Sequence, residues 1–303
     1  MNPSDYSVIS FPFFGWEMNP PRALEIGPLS IHYYGMMIAL GLLLAVIYAW
    51  RRAKQFGVKE DDLTDGVLWV VPFAVLCARL YYCIFQWDTY KSNPISILYI
   101  WEGGLAIYGG VIGAAVGVVV FCKFKKIKTA TVLDMVALGF LIGQSLGRWG
   151  NFFNREAVGV IDQNSDWFLK MGLLNRLTNK VEYCHPTFFY ESLWNAIGFV
   201  LLHFMSKKRR YDGQVALGYV AWYGLGRAII EGLREDSLML GSMRVSQGLA
   251  LATCLVATGI LIWQHFRPQD PEKLFVHQVA ARAALEAEKK SQEETEKTEE
   301  TEE

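Results

Sequence analysis

The chain has 303 residues, of which 52% are hydrophobic, 14% aromatic and only 19% charged. Soluble domains carry about 25% charged residues, so this composition is too apolar for a soluble protein, and it excludes disordered, collagen-like and disulfide-scaffold classes. The net charge of −1 hides an acidic tail, with nine acidic residues and three lysines over 286–303, and no basic face suggests a nucleic-acid partner.

Seven long apolar runs are close to the length that a helix needs to cross a bilayer. Such a helix needs about 20 apolar residues to span about 30 Å of hydrocarbon. The sequence therefore predicts an all-α, multi-pass membrane protein with seven transmembrane helices. The predicted segments are residues 28–50, 66–86, 104–122, 131–147, 188–206, 214–230 and 246–264.

Basic residues after the first, third and fifth segments orient the predicted helices. Lysine and arginine are concentrated in short cytoplasmic loops. We therefore expect the N-terminus outside and the C-terminus in the cytoplasm, since the connection 87–103 holds only Lys91. The three basic connections contain Arg51, Arg52, Lys54 and Lys59, then Lys123, Lys125, Lys126 and Lys128, then Lys207, Lys208, Arg209 and Arg210.

These predictions divide the chain into three regions. An extracytoplasmic segment covers residues 1–27 and a seven-helix membrane domain covers 28–266, with an external loop at 148–187. The tail, 267–303, begins with two prolines and continues into a run of Glu, Thr and Lys. Such charge runs are typically solvated, so we expect a largely disordered cytoplasmic tail with a surface helix at most over 273–288.

Four arginines lie within or beside the apolar segments, where a charge is costly. An arginine at the bilayer centre costs about 2.5–3.5 kcal/mol even on the most lenient scale. Arg148 ends the fourth segment, Arg227 and Arg234 end the sixth, and Arg79 lies in the second. The first three share the outer side in the predicted orientation, and guanidinium binds phosphate oxygens well. They predict a site for an anion reached from the outer leaflet, such as a phospholipid headgroup.

The arginines also have simpler structural interpretations. If the sixth helix continues, Tyr223, Arg227 and Glu231 recur at steps of four and Arg234 follows three later, so that all four share one face. An Arg227–Glu231 pair would then serve only to neutralise buried charge. Arg148 also fits an interfacial anchor. Arg79, in turn, fits pairing with a nearby carboxylate or carbonyl.

Other polar residues of the segments are equally open to two interpretations. Tyr34 fits an aromatic belt at the membrane interface, and Tyr108 lies inside the third segment, where its hydroxyl needs a partner. His185 has no metal-ligand spacing, so a structural role is the simpler interpretation. No nucleotide loop, metal motif or serine elbow is present, and the sequence predicts no cofactor and no metal.

The segment GRWGNFFNRE, residues 147–156, closely resembles the signature of the bacterial prolipoprotein diacylglyceryl transferases. The resemblance extends in order and spacing over roughly residues 20–265, and the tail lies outside it. The further matching motifs are Ile31–Gly35, Glu102–Leu105, His185–Thr187 with Tyr190 and Glu191, and Tyr223–Gly224 through Arg227 to Glu231 and Arg234.

The resemblance implies a transferase of the bacterial plasma membrane with its site toward the outer leaflet. The implied reaction moves the diacylglyceryl group of phosphatidylglycerol to the lipobox cysteine of a prolipoprotein, forms a thioether and releases glycerol 1-phosphate. It is the first step of lipoprotein maturation. The alternative is a membrane anion or lipid transporter, which also buries arginines but often shows inverted repeats and broken helices that we do not find.

The resemblance also implies roles for single residues. Arg148 matches the phosphatidylglycerol-binding arginine, and Arg227 matches an essential arginine that we place on the phosphate or leaving group. Many members have a histidine, considered as a base, where this chain has Tyr108. Tyrosine is a poor base at neutral pH, so we expect Tyr108 to donate a hydrogen bond. The remaining matches are Tyr34 and Tyr223 in catalysis and Asn151, Asn154, Gly159, Glu231 and Arg234 in substrate binding.

The thiol of the substrate must lose its proton, because the thiolate is the nucleophile. With Tyr108 set aside, deprotonation falls to Glu156, to His185 or to direct attack by an arginine-stabilised thiolate. The sequence leaves these three alternatives open.

Overall fold

A computed structural model describes residues 5–27, 29–100, 103–234, 239–240 and 243–302. Over these residues the chain is mostly helical, and five of the helices described there, α1, α2, α4, α5 and α8, are long and apolar enough to cross a membrane. The predicted motif residue Glu102 lies outside the described residues. The helices are α1 Tyr33–Phe56, α2 Glu60–Phe85, α3 Trp87–Tyr90, α4 Ile107–Lys125, α5 Thr129–Asn154, α6 Thr187–Lys207, α7 Gln214–Ile230, α8 Val245–His265 and α9 Phe275–Glu302.

The fifth and sixth predicted segments also form helices, α6 and α7. Helix α7 has only 17 residues, and α6 carries buried polar side chains such as Glu191 and Asn195. Length and composition therefore do not identify these two helices as membrane spans in the way that they identify the other five.

Short strands make the all-α prediction incomplete. An antiparallel sheet has the strand order β2-β1-β6-β7-β5, and β3 with β4 and β8 with β9 form two further hairpins. The sequence does not predict these strands, because they are short and lie outside the apolar runs. Their partners are also far apart along the chain, since Ile9 on β1 pairs with Leu173 on β6. The strands are β1 Tyr6–Phe11, β2 Trp16–Met18, β3 Ala23–Ile26, β4 Leu29–His32, β5 Gly159–Val160, β6 Met171–Asn175, β7 Lys180–His185, β8 Met239–Leu240 and β9 Met243–Arg244.

Several helix boundaries differ from the predicted ones. Helix α1 begins at Tyr33, directly after β4, rather than at residue 28. Helix α5 continues through Asn154, so the start of the predicted external loop is helical. The next residue, Arg155, has a φ of 58°, which is the left-handed conformation that commonly terminates helices. In the tail, α9 runs on to Glu302 instead of ending near residue 288.

The chain divides into two compact units, and the first consists of Met1–Tyr48, Val136–Arg209 and Gln214–Gln269. The core of its five-stranded sheet includes Ile9 and Leu173, and Phe152 and Phe188 belong to the same buried cluster. Phe152 lies on the last turns of α5 and Phe188 on the first turn of α6. The sheet therefore packs directly on the ends of these two helices.

Polar contacts fix the helices of this unit against each other. Ser192 on α6 donates to the carbonyl of Ser145 on α5 at 2.8 Å. The Trp194 and Trp222 rings stack with centroids 4.4 Å apart, and each indole donates to the other residue's carbonyl, at 3.0 and 2.9 Å. Helices α5, α6 and α7 are thus held in a defined register.

The second unit consists of Ala49–Met135, Arg210–Gly213 and Asp270–Glu303. Helices α2 and α4 approach closely because glycine lies at their contact: a Cβ on Gly113 would stand 2.5 Å from Cys77 Cβ. Small residues commonly allow such packing in membranes. The start of α9 is fixed by Asp212, which accepts from the Phe275 amide at 2.9 Å and pairs with Lys128 at 3.0 Å.

Candidate active site

The last turns of α5 carry the first group of predicted site residues. Arg148 Nη1 donates to Asn151 Oδ1 at 3.1 Å, as expected for side chains three residues apart on one helix face. Asn151 Nδ2 and Asn154 Nδ2 both donate to Glu156 Oε1, at 2.9 and 3.2 Å. The signature residues thus form one hydrogen-bonded chain from Arg148 to Glu156.

Glu191 on α6 joins three arginines from two other parts of the unit. Its Oε2 lies 2.5 Å from Arg148 Nη2. Its Oε1 lies 3.2 Å from both Arg227 Nη1 and Arg234 Nη1. The structure therefore brings together the three arginines that the sequence places on the outer side, and it does so around one carboxylate.

Glu231 is the second carboxylate of the group and is almost completely buried. It lies 2.7 Å from Arg227 Nη2, and its Oε2 is 3.9 Å from Arg234 Nε. The pair that the four-residue spacing predicts is thus present, although α7 ends at Ile230 and Glu231 begins a 3₁₀ turn. We call Arg148, Arg227 and Arg234 with Glu191 and Glu231 the arginine cluster.

Exposure within the arginine cluster is uneven. The side chains of Arg148 and Arg227 are each 21% exposed, whereas those of Glu191 and Glu231 are 5% and 2% exposed. A guanidinium has five N–H donors, and within the described residues Arg148 and Arg227 each use two nitrogens for the contacts above. The cluster thus turns cations outward and keeps its carboxylates behind them, an arrangement suited to an anion.

Tyr34 lies beside the signature residues, at the start of α1. A Cβ on Gly150 would stand 2.7 Å from Tyr34 Cδ2, so the glycine admits the tyrosine ring against α5. Tyr34 is also close enough to Glu156 and Arg148 to interact with them electrostatically. The close approach explains why glycine follows Trp149 in the signature.

Gly159 and His185 lie where β5 pairs with β7. Gly159 pairs with His185 and also forms an isolated bridge with Arg234. A Cβ on Gly159 would stand 2.7 Å from His185 Cβ and 2.8 Å from the Leu233 carbonyl. A larger residue would therefore push the Arg234 segment away from the sheet. This geometry gives Gly159 a role in packing.

The imidazole of His185 is partly buried, and its Nδ1 lies 3.4 Å from the Tyr190 hydroxyl. Burial lowers the pKa of His185, because desolvation disfavours the charged imidazolium. At neutral pH the ring is therefore neutral and able to accept a proton.

Two further predicted residues make none of the contacts described above. Tyr223 stacks on Tyr219, with ring centroids 5.7 Å apart. Tyr108 belongs to the other unit, on the first turn of α4, and is 74% exposed. The hydrogen-bonding role expected of Tyr108 stays a prediction. Among the described residues, no three His, Cys, Asp or Glu side chains are grouped as metal ligands.

Glu191 belongs to the matching motifs, but the sequence does not predict it as a site residue. It lies in a mainly apolar segment, between Tyr190 and Ser192, and an acidic residue in such a segment is itself a sign of function. Its three arginine partners come from α5, from α7 and from the segment after α7, so no local spacing indicates them.

Comparison with known proteins identifies the family. A family model described as prolipoprotein diacylglyceryl transferase matches residues 21–263. The chain belongs to this family. A Lactiplantibacillus plantarum phosphatidylglycerol–prolipoprotein diacylglyceryl transferase is 43% identical over 262 residues, covering 82% of this chain and 91% of the relative. A Listeria monocytogenes protein of the same name is 40% identical over 254 residues, covering 83% and 92%.

The family prediction is therefore confirmed, and the chain is a diacylglyceryl transferase. Its apolar helices and its family make it a multi-pass membrane protein. The names of its relatives do not favour the alternative of an anion or lipid transporter.

Proposed function

We propose that this chain transfers the diacylglyceryl group of phosphatidylglycerol to the cysteine thiol of a prolipoprotein lipobox and releases glycerol 1-phosphate. The observation that carries the proposal is the arginine cluster, in which two partly exposed guanidiniums stand in front of two buried carboxylates. Such guanidiniums bind phosphate oxygens. The names of the relatives supply the two substrates, phosphatidylglycerol and a prolipoprotein.

We also propose that seven helices, α1, α2 and α4 to α8, cross the bacterial plasma membrane, with the N-terminus outside and the C-terminus in the cytoplasm. The basic connections after α1, α4 and α6 support this orientation. Arg148 lies near the end of α5, Glu191 near the start of α6 and Arg227 near the end of α7. In this topology the arginine cluster faces the outer leaflet, where phosphatidylglycerol can reach it from the bilayer.

The chemistry of the products explains what the arginines do. A thioether joins sulfur to carbon, so the bond that breaks is the C–O bond between the diacylglycerol and its phosphate. The electron pair leaves on the phosphate oxygen, and the phosphate gains a second negative charge. Arg148 and Arg227 stabilise this charge as it develops, and donors held in place stabilise such a transition state more than the ground state.

The remaining residues orient these groups or move the thiol proton. Asn151 and Asn154 link Arg148 to Glu156, so we assign them to the orientation of the lipid-binding arginine. Glu156 and His185 are the two candidate bases, and the neutral form of His185 at neutral pH suits that role. The proton of the thiol passes to one of them as sulfur attacks carbon.

The Glu231 and Arg234 side chains complete the cluster behind Arg227, and Gly159 keeps the Arg234 segment close to the sheet. Tyr34, beside Gly150, is placed to contact the headgroup. Tyr108 and Tyr223 are assigned to hydrogen bonding with substrate on the strength of the resemblance alone.

The experiment is a mass-shift assay with the full-length protein. Purified protein is mixed with phosphatidylglycerol in detergent micelles and a synthetic lipobox peptide. We expect the peptide to gain the mass of one diacylglyceryl group and glycerol phosphate to be released in equal amount. Arg148→Ala should lose both products, whereas the exposed Arg176 of the β6–β7 turn serves as the matched control in Arg176→Ala.

Two outcomes would contradict the proposal. Folded wild-type protein that yields neither product is not a transferase of this substrate pair. Movement of phosphatidylglycerol across vesicles without a covalent product would instead favour the transporter.

A further inference from the structure

Arg155 is a buried arginine of the first unit to which nothing above assigns a role. It lies between Asn154 and Glu156 and is only 4% exposed. It also takes a φ of 58°, a left-handed conformation in which a non-glycine residue is uncommon. An arginine that is both buried and in this conformation is held there by its surroundings.

The guanidinium of Arg155 reaches the N-terminal part of the chain. Its Nε donates to the Ser7 carbonyl at 2.6 Å. Its Nη2 donates at 2.8 Å both to Asn19 Oδ1 and to the Pro20 carbonyl. Nη1 closes the turn on the chain itself by donating to the Phe153 carbonyl at 3.0 Å.

The charge of Arg155 is balanced by oxygen dipoles and not by a carboxylate in these contacts. Burial, with the neighbouring charges of Arg22 and Arg176, lowers the pKa of Arg155 to about 10. The group therefore stays charged at neutral pH, and charge-assisted hydrogen bonds are the strong ones. Three of its four contacts thus tie the strand β1 and the segment after β2 to the end of α5.

The same turn carries Glu156, which lies between two residues in the left-handed conformation, Arg155 and Ala157, with φ of 58° and 55°. The Glu156 amide donates to the Asn151 carbonyl at 3.1 Å. Any change at Arg155 therefore reaches the carboxylate that holds Asn151, and through it Arg148.

The N-terminal segment held by Arg155 begins before the family match, which starts at residue 21. Ser7 and Asn19 both lie in this earlier part of the chain. The turn that bears Glu156 is thus fixed by residues that the family model does not cover.

We propose that Arg155 is a positioning residue that uses the N-terminal segment, Ser7 to Pro20, to hold Glu156 and hence Arg148 in the geometry required for lipid transfer. The inference rests on the proposed function for the meaning of that geometry. Its structural part, the fixing of the turn by the N-terminal segment, does not depend on the reaction.

The main test variant is Arg155→Gly. Glycine adopts a φ of 58° readily, so this change removes the guanidinium and relaxes the backbone rather than straining it. We expect kcat per folded molecule to fall about tenfold, as for a displaced catalytic group. The KM for phosphatidylglycerol should rise by less than kcat falls, since Arg227 keeps its carboxylate contacts and the displaced Arg148 keeps its charge. Arg155→Lys keeps the charge but cannot reach all the acceptors. Its kcat should therefore lie between those of wild type and Arg155→Gly.

Two further variants test whether the contacts of the Arg155 guanidinium, and not backbone strain in the turn, hold Glu156 in place. Ala157→Gly relaxes the same turn but leaves the guanidinium in place, and an equal loss of kcat in this variant would attribute the effect to backbone strain and overturn the proposal. Asn19→Ala removes one acceptor on the other side of the contact. We expect it to lower kcat in the same direction, and to have no further effect when combined with Arg155→Gly.

Hydrogen–deuterium exchange gives a readout that does not require activity. Peptides covering residues 150–160 should exchange faster in Arg155→Gly than in wild type, with little change in α8. A purely structural role would instead lower the melting temperature and the folded yield while kcat per folded molecule stayed unchanged, and that result would overturn the proposal. If wild type transfers no lipid, the proposed function fails. The exchange result still tests whether Arg155 fixes the turn through the N-terminal segment.

Discussion

Two buried sites in this protein hold arginine in different ways. In the second unit, the guanidinium of Arg79 is almost fully buried and donates to five backbone carbonyls between 2.6 and 3.3 Å, those of Ser96, Ile97, Tyr99, Gly103 and Gly104. In the arginine cluster of the first unit, Arg148 and Arg227 pair with carboxylates and remain partly exposed.

The difference lies in what each guanidinium has left to offer. Arg79 uses all five of its N–H donors on one loop, so it closes that loop and has none for a ligand. Among the described residues, Arg148 and Arg227 keep donors and remain partly exposed, in front of buried carboxylates. An arginine in apolar sequence is thus a sign of either a structural or a functional role, and its acceptors decide between the two.

The largest effect is expected for Arg227→Ala. Removing a donor that stabilises developing charge costs about 100- to 1000-fold in kcat in comparable enzymes, and Arg227 carries a full charge. We expect kcat for the lipobox peptide to fall about 1000-fold with a smaller change in KM, measured by the mass-shift assay. Activity within threefold of wild type would show that Arg227 does not act in the reaction and that its role, like that of Arg79, is structural.

Arg79→Gln should show the opposite pattern. Glutamine replaces at most two of the five hydrogen bonds, and each buried carbonyl left without a donor costs about 1–3 kcal/mol. We expect a loss of about 3 kcal/mol in the free energy of unfolding, seen as a melting temperature several degrees lower in detergent. The folded fraction should keep most of its turnover. Lost turnover without a lower melting temperature would place Arg79 with the functional arginines.

The sequence indicates features that arise locally along the chain. Each predicted apolar run contains a helix, because length and hydropathy are properties of the run itself. The Arg227–Glu231 pair follows from the four-residue spacing, and it is present at 2.7 Å. The tight turn after Ile230 still brings Arg234 toward Glu231, because residues three apart lie above one another in a 3₁₀ turn.

The sequence does not indicate features that depend on residues far apart along the chain. Strand β1 meets β6 across more than half the chain, and neither strand is marked by an apolar run. Glu191 becomes important only when α5, α6 and α7 pack together. The signature does not indicate the contacts of Arg155 with Ser7 and Asn19 either, because there Arg155 is only one residue between two polar neighbours.

Glu191→Gln tests the feature that most clearly separates the arginine cluster from Arg79, namely its shared carboxylate. The change removes the negative charge that contacts all three arginines, so the cluster becomes more positive and should hold a dianionic product more tightly. We expect glycerol phosphate to inhibit the variant at about tenfold lower concentration, since one charge at this distance is worth roughly 1 kcal/mol or more, with a smaller fall in kcat. Glu182→Gln removes a carboxylate that contacts Tyr6 and Asn175 in the sheet and should leave product inhibition unchanged. If both variants are inhibited like wild type, Glu191 holds its arginines only as the carbonyls hold Arg79, for structure and not for the charge of the site.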